Sequence, residues 1–139
     1  FVASQVRNFL SQVAGSLVLV GHKNLLTTAL SCLLDNAWKF TSKKPEAWIK
    51  IGVQPGKAVG ERVLVVADNG VGFDPVYSGN LFTAFQRLHS SADFPGNGLG
   101  LAIIKRVAQI HGGTVWAESA DKVGASFFMA LTQTAANAA

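Results

Sequence analysis

The chain has 139 residues, 49% of them apolar, and a mean hydropathy of +0.30, which supports one packed core and excludes wholesale disorder. Twelve Lys and Arg against eight Asp and Glu give a net charge of +4, but only Lys43-Lys44 and Lys105-Arg106 are adjacent, so no clustered nucleic-acid patch is read and a polyanionic small ligand suits the charge at least as well. One cysteine, Cys32, excludes an internal disulfide and a multi-cysteine zinc site, and His22, His89 and His111 form no metal motif.

Apolar positions at Val2, Val6, Phe9, Leu10 and Val13 recur at helical spacing and predict a helix over the first dozen residues. The apolar run Leu17 to Val20 reads as a short strand. From His22 to Phe40 the period is helical again, with Leu26, Leu30, Leu33, Ala37 and Phe40 on one side. Thr41 to Glu46 breaks it, with Pro45 as punctuation. Strands are predicted over Ala47 to Val53 and Arg62 to Ala67, joined by Gln54 to Gly60, a loop of hairpin composition.

Asp68 to Gly72 is glycine-punctuated. Asp74 to Asn97 is long and irregular apart from an amphipathic piece around Leu81 to Leu88, and loops of that length are usually functional or mobile. A helix from Leu99 to Ile110 stops at His111-Gly112-Gly113, where His111 reads as a helix-end residue. Strands Thr114 to Glu118 and Ser126 to Leu131 flank a turn at Asp121 to Gly124, and Thr132 to Ala139 reads as a frayed tail.

Helices alternating with hairpins predict an α/β two-layer sandwich. Its sheet is mixed and largely antiparallel, packed on one side by about three helices. No apolar run is long enough to cross a bilayer and no signal peptide is visible. The start at Phe1 suggests a piece of a longer protein, with a cytoplasmic location as the expectation.

Three constellations could carry chemistry. Cys32, Asn36 and Lys39, at i, i+4 and i+7, share a helix face turned from the apolar stripe. An amide oxygen is a hard, neutral ligand for Mg²⁺ and an ammonium can meet a phosphate, although the same face also reads as simply solvated. Asp68-Asn69-Gly70-Val71-Gly72 follows the hydrophobic strand residues Val63 to Val66. A carboxylate there can accept from a ligand amine, and the same residues make tight turns for their own reasons.

Gly96-Asn97-Gly98-Leu99-Gly100 opens the second long helix, where free amides and the positive dipole end suit phosphate. A glycine hinge is the alternative. Neither a Walker A loop nor a dinucleotide fingerprint fits, since no Gly-Lys-Ser/Thr is present and the third glycine comes one residue early.

In order and spacing together, these segments resemble the sensor histidine kinases. Leu33-Leu34-Asp35-Asn36-Ala37-Trp38-Lys39-Phe40-Thr41 resembles their N box, placed here at 32–41, and Asp68 to Phe73 their G1 box. Leu81 to His89 is similar to the F box, and Gly96 to Leu101 to the G2 box, with an ATP lid at about 88–97 between them. His111-Gly112-Gly113, Trp116 to Ser119 and a looser last glycine motif at Gly124 to Phe127 follow in the family's order. The likeness covers residues 20 to 131, and its wording around Asn36 to Pro45 and Phe85 to Pro95 is similar to the phytochrome-like and PAS-linked branch.

The resemblance implies the Bergerat-type ATP-binding fold of the gyrase, Hsp90, histidine kinase and MutL superfamily. It implies a catalytic domain over 21–131, after a shortened N-terminal helix and strand at 1–20 and before a tail at 132–139. By the same resemblance Asn36 would hold Mg²⁺, Lys39 a phosphate, and Asp68 the exocyclic amine of adenine. Gly70 and Gly72 would shape the pocket, and Phe40 and Leu81 would wall the base. The amides of Gly98, Leu99 and Gly100 would cradle phosphates, Gly96 and Asn97 would belong to the same ATP-binding loop, and Arg87 would reach the γ-phosphate. Phe82 and Phe85 would anchor the lid to the core or meet a partner domain.

A carboxylate at Asp68 also predicts adenine over guanine, whose carbonyl would set two acceptors face to face. Hydrolysing relatives place a Glu four residues before the magnesium Asn, and Cys32 there offers no carboxylate base. Histidine kinases usually carry Asn at that position, so Cys32 departs from their pattern, as do Asn97 and Ala125 in place of Thr and His22 in place of Asp.

None of the three histidines lies in a phosphoacceptor motif. The implied acceptor is a histidine on a separate dimerisation domain, with a response regulator downstream, a monomeric isolated domain and a homodimeric full-length kinase. The alternative is a catalytically weakened pseudokinase acting as a nucleotide-sensing or interaction module.

Overall fold

The computed structural model describes residues 8–13, 19, 21–72, 82, 100–120 and 124–132. Helix α1 (Lys23–Phe40) forms where the apolar period predicts it, burying Ala29, Leu33 and Ala37 with Leu26 and Leu30 partly buried beside them. His22 caps its start, Nδ1 accepting from the Leu25 amide at 3.4 Å, so a weak acceptor stands where the family often has Asp. The Thr41 hydroxyl closes the other end by donating to the Ala37 carbonyl at 2.8 Å. Helix α2 (Gly100–Ile110) buries Ile104, Val107 and Ala108.

Strands β2 (Glu46–Pro55), β3 (Glu61–Asp68), β4 (Thr114–Ala120) and β5 (Gly124–Thr132) pair antiparallel in the order β2-β3-β5-β4. A fifth strand, β1 (Asn8–Val13), lies parallel to β2 at the edge, from Asn8 opposite Glu46 to Val13 opposite Ile51. The sheet is therefore mixed and largely antiparallel, as the sequence predicts.

The N-terminal helix is a correction, because residues 8–13 are strand. Phe9 and Val13 share a face at either period over so short a segment, and the open edge of β2 offers the backbone hydrogen bonds that decide it. Leu19 stands outside any strand, and the rest of the run from Leu17 to Val20 lies outside the described residues. Two helices are present among the described residues; the piece around Leu81 to Leu88 lies beyond them apart from Phe82.

Both helices cover one face of the sheet. Ile49, Leu64, Val66, Phe127, Met129 and Leu131 meet Ala29, Leu33, Ile104 and Val107 in a single core. On the opposite face Val65, Phe128 and Trp116 line up across three strands, with Trp116 stacked on Phe128 at 5.1 Å and 3°.

Candidate functional site

The pleat of β3 decides where its last residue points. Leu64 and Val66 face the helices, and Asp68 shares their parity, so its carboxyl turns into the layer beneath α1. Asp68 is only 3% exposed. Its Oδ1 accepts from the Gly70 amide at 2.8 Å, while Oδ2 is buried without a hydrogen-bond partner among the described residues. Burial pushes the carboxyl up from an ordinary 3.8 to about 6, against the amides of Gly70 and Ala125, which pull it down. Leaving such an acceptor unpaired costs the fold on the order of 1–3 kcal/mol. It marks a place where a donor, from water or a ligand, is wanted.

The turn after β3 is pinned to the end of α1. The Val71 amide donates to the Phe40 carbonyl at 3.0 Å. A Cβ at Gly70 would collide with that same carbonyl, so glycine is required for the approach. From β5, Gly124 stands at φ +142°, where a Cβ would strike the Asp68 carbonyl. On the remaining side Asn69 reaches β2, its Oδ1 accepting from the Trp48 amide and its Nδ2 donating to the Glu46 carbonyl, both at 2.8 Å.

Asn36 sits one turn before Phe40 on α1, and its Nδ2 is a second buried polar atom without a partner among the described residues. Asn36 and Cys32 are half-buried at the edge of the apolar stripe, and only Lys39 of that trio is exposed. Cys32 packs against the core, its Cβ 3.9 Å from where Gly100 would carry one. Burial first and Asp35 second push its thiol up, with Lys39 pulling down, so the thiol keeps its proton and supplies no base.

The fold thus brings Phe40 at the end of α1 against Gly70 and Val71 in the turn after Asp68, with Asn36 one turn earlier on the helix, and it sets Cys32 beside the start of α2 at Gly100. Leu81, Phe85, Arg87, Gly96, Asn97, Gly98 and Leu99 lie outside the described residues, as does the lid. Phe82 packs against the core edge-on to Phe127, ring centroids 6.5 Å apart. Sequence reasoning passed over Asn69 as an individual residue; the available signal was an amide side chain directly after a strand's last residue. Among the described residues no cluster of His, Cys, Asp or Glu converges for a metal, and no helix is long and apolar enough to cross a membrane.

The sequence pattern of the histidine kinase-, DNA gyrase B- and HSP90-like ATPases matches residues 21–135. Cyanobacterial phytochrome A of Nostoc sp. is 39% identical over 71% of this chain, and the methanogenesis regulatory histidine kinase FilI of Methanothrix harundinacea is 37% identical over 74%. The chain spans 12% and 11% of the lengths of those two relatives.

Among solved structures, the mycobacterial sensor histidine kinase MprB superposes with a TM-score of 0.73 at 30% identity, covering 89% of this chain and 82% of that one. Full-length ShkA in complex with AMPPNP gives 0.72 at 26% identity, covering 90% of this chain and 25% of that one. The chain belongs to the histidine kinase-, DNA gyrase B- and HSP90-like ATPase family, as an ATP-binding domain of the kind carried by sensor histidine kinases.

Proposed function

We propose that this domain is the catalytic part of a sensor histidine kinase, which binds Mg-ATP and passes the γ-phosphate to a histidine on a separate dimerisation domain. The observation that carries the reading is a pair of buried atoms without a partner among the described residues, Asp68 Oδ2 and Asn36 Nδ2, on segments tied by the hydrogen bond from Val71 to Phe40. Asp68 offers a free, desolvated acceptor to the exocyclic amine of adenine. Phe40 and Leu81 wall the base, and Gly70 and Gly72 let the backbone come close to it.

Asn36 fits a magnesium site, because its side-chain oxygen is a hard, neutral donor and its orphaned amide group wants an acceptor such as a phosphate oxygen. When bound, Mg²⁺ supplies neutralisation of the phosphate charge. Lys39, exposed in the last turn of α1, meets a phosphate. Gly96, Asn97, Gly98, Leu99 and Gly100 present amides to the phosphates at the start of α2, and Arg87 meets the γ-phosphate. The places of Arg87, Leu81 and the first four of those glycine-loop residues rest on motif order alone.

Phosphoryl transfer needs alignment and charge neutralisation more than covalent help. Cys32 holds its proton where a hydrolysing enzyme needs a base, which favours transfer to an acceptor histidine over hydrolysis. The remaining partners are the phosphoacceptor helices of a homodimeric full-length kinase and a response regulator, with the domain itself monomeric and cytoplasmic.

Calorimetric titration with ATP and GTP, with and without Mg²⁺, tests the binding half of this reading. Magnesium-assisted ATP binding, with GTP weaker by at least about tenfold, is expected. Comparable GTP affinity would sink the role of Asp68. Adding a phosphoacceptor helix pair and radiolabelled ATP tests the other half, with an acid-labile phosphohistidine as the expected product.

A further inference from the structure

The pairing of β2 with β3 ends at Ile49 opposite Asp68, and the next pair in that register would be Trp48 with Asn69. The backbone does not continue the ladder there. It turns toward α1 instead, where Val71 bonds Phe40. The Trp48 amide and Glu46 carbonyl of β2 are left facing the place the strand has vacated. The Asn69 side chain fills it with an amide of its own, accepting from Trp48 and donating to Glu46 at 2.8 Å each. One primary amide offers the same donor and acceptor as the peptide group that left.

We infer that Asn69 is a positioning residue for base recognition: its amide, bridging Trp48 and Glu46 of β2, holds the neighbouring Asp68 carboxylate in place. The inference rests on the proposed role of Asp68. Asp68 is fixed from β5 by its pairing with Ala125 and from within the turn by the Gly70 amide. Asn69 is its fastening on the β2 side. Without that bridge the turn can move away from β2, water reaches Oδ2, and the acceptor is no longer presented dry to a purine amine. Asn36 and Lys39 stand on α1 and Gly100 opens α2, so the phosphate side of the pocket is untouched.

The division between base and phosphate gives a sharp test. The protein is titrated calorimetrically with ATP and with the purine nucleoside triphosphate that lacks the six-amino group. The unsubstituted protein is expected to prefer ATP by about tenfold. Asn69→Ala is expected to weaken ATP by about tenfold while changing the amine-free nucleotide by less than about twofold. Asn69→Ser, which keeps a hydroxyl for the Trp48 amide, gives an intermediate loss and carries the comparison if the alanine variant does not fold.

Equal weakening of both nucleotides, or a lower melting temperature with the preference intact, overturns the inference and leaves Asp68 standing. An unsubstituted protein without preference overturns the Asp68 reading, and the inference falls with it.

Discussion

The two ends of α1 are built on opposite principles. At the first, His111 is 2% exposed and uses both ring nitrogens: Nε2 accepts from the His22 amide at 2.9 Å and Nδ1 lies 2.8 Å from the Val107 carbonyl. The acceptor role of Nε2 puts the ring proton on Nδ1, which donates to Val107. Gly21 fits against that ring, where a Cβ would come within 2.7 Å of it. At the other end Asn36 Nδ2 and Asp68 Oδ2 are buried and unpartnered among the described residues. The paired end fastens α1 to α2, and the unpaired end carries the two atoms that the proposed function assigns to the nucleotide. On the proposed function, one helix of 18 residues separates stability from ligand binding along its length.

Substituting Asp68 should break that comparison most strongly. In Asp68→Asn one side-chain atom must become a donor, so either the Gly70 amide or the adenine amine meets another donor. ATP affinity is expected to fall on the order of 100-fold by calorimetry. Stability of the nucleotide-free protein should move the other way. A folded carboxyl at about 6 lies above its ordinary 3.8, so its stabilising contribution is full below about 3.8 and lost as pH rises through about 6. At pH 7 the ionised group costs the fold about 3 kcal/mol, part of which the neutral amide recovers. A variant that binds poorly and melts higher is the expected signature, and one that melts lower would count against the unpaired-end reading.

His111→Ala attacks the paired end. It removes the acceptor for His22, the donor to Val107 and a buried ring, for about 2–3 kcal/mol in urea unfolding. ATP affinity of the folded fraction should stay within about twofold, because nothing at the far end is touched. A large loss of affinity would show that the two ends are coupled after all.

The contrast between the ends also explains what the sequence made legible. The helices and the four antiparallel strands follow from apolar periodicity, because each buries a continuous face against the same core. Residues 8–13 misread as helix since six residues cannot separate one period from the other without knowing that β2 has a free edge. Asn36 and Asp68 were legible only through the order of neighbouring motifs, since an Asn on a helix and an Asp at a turn are each commonplace. The bonds that hold them were not legible. Asn69 reaches back 21 and 23 residues to β2, and His111 reaches 89 residues to His22, separations that no local pattern reports.

Acid sharpens the comparison with less force than substitution. In its proposed role the Asp68 carboxyl accepts from adenine most strongly when ionised, and in the nucleotide-free protein burial pushes its pKa up to about 6. ATP affinity should therefore fall by about tenfold between pH 7 and pH 5. Asp68→Asn, having no proton to gain, sets the baseline for whatever the phosphates themselves contribute. A slope as steep in that variant would place the titrating group elsewhere.

The smallest expected effect is at Cys32, which stands midway along α1 beside the start of α2. Its thiol stays protonated, pushed up by burial and by Asp35, so it offers the pocket a weak donor and no hard oxygen. Cys32→Asn supplies an amide one turn before Asn36, with its Cβ 3.9 Å from the position of one at Gly100. Affinity for Mg-ATP should rise by about two- to fivefold, the worth of one modest hydrogen bond, with urea stability nearly unchanged. A fall in affinity would mean that packing of Cys32 against the core, rather than its polarity, is what matters at this position.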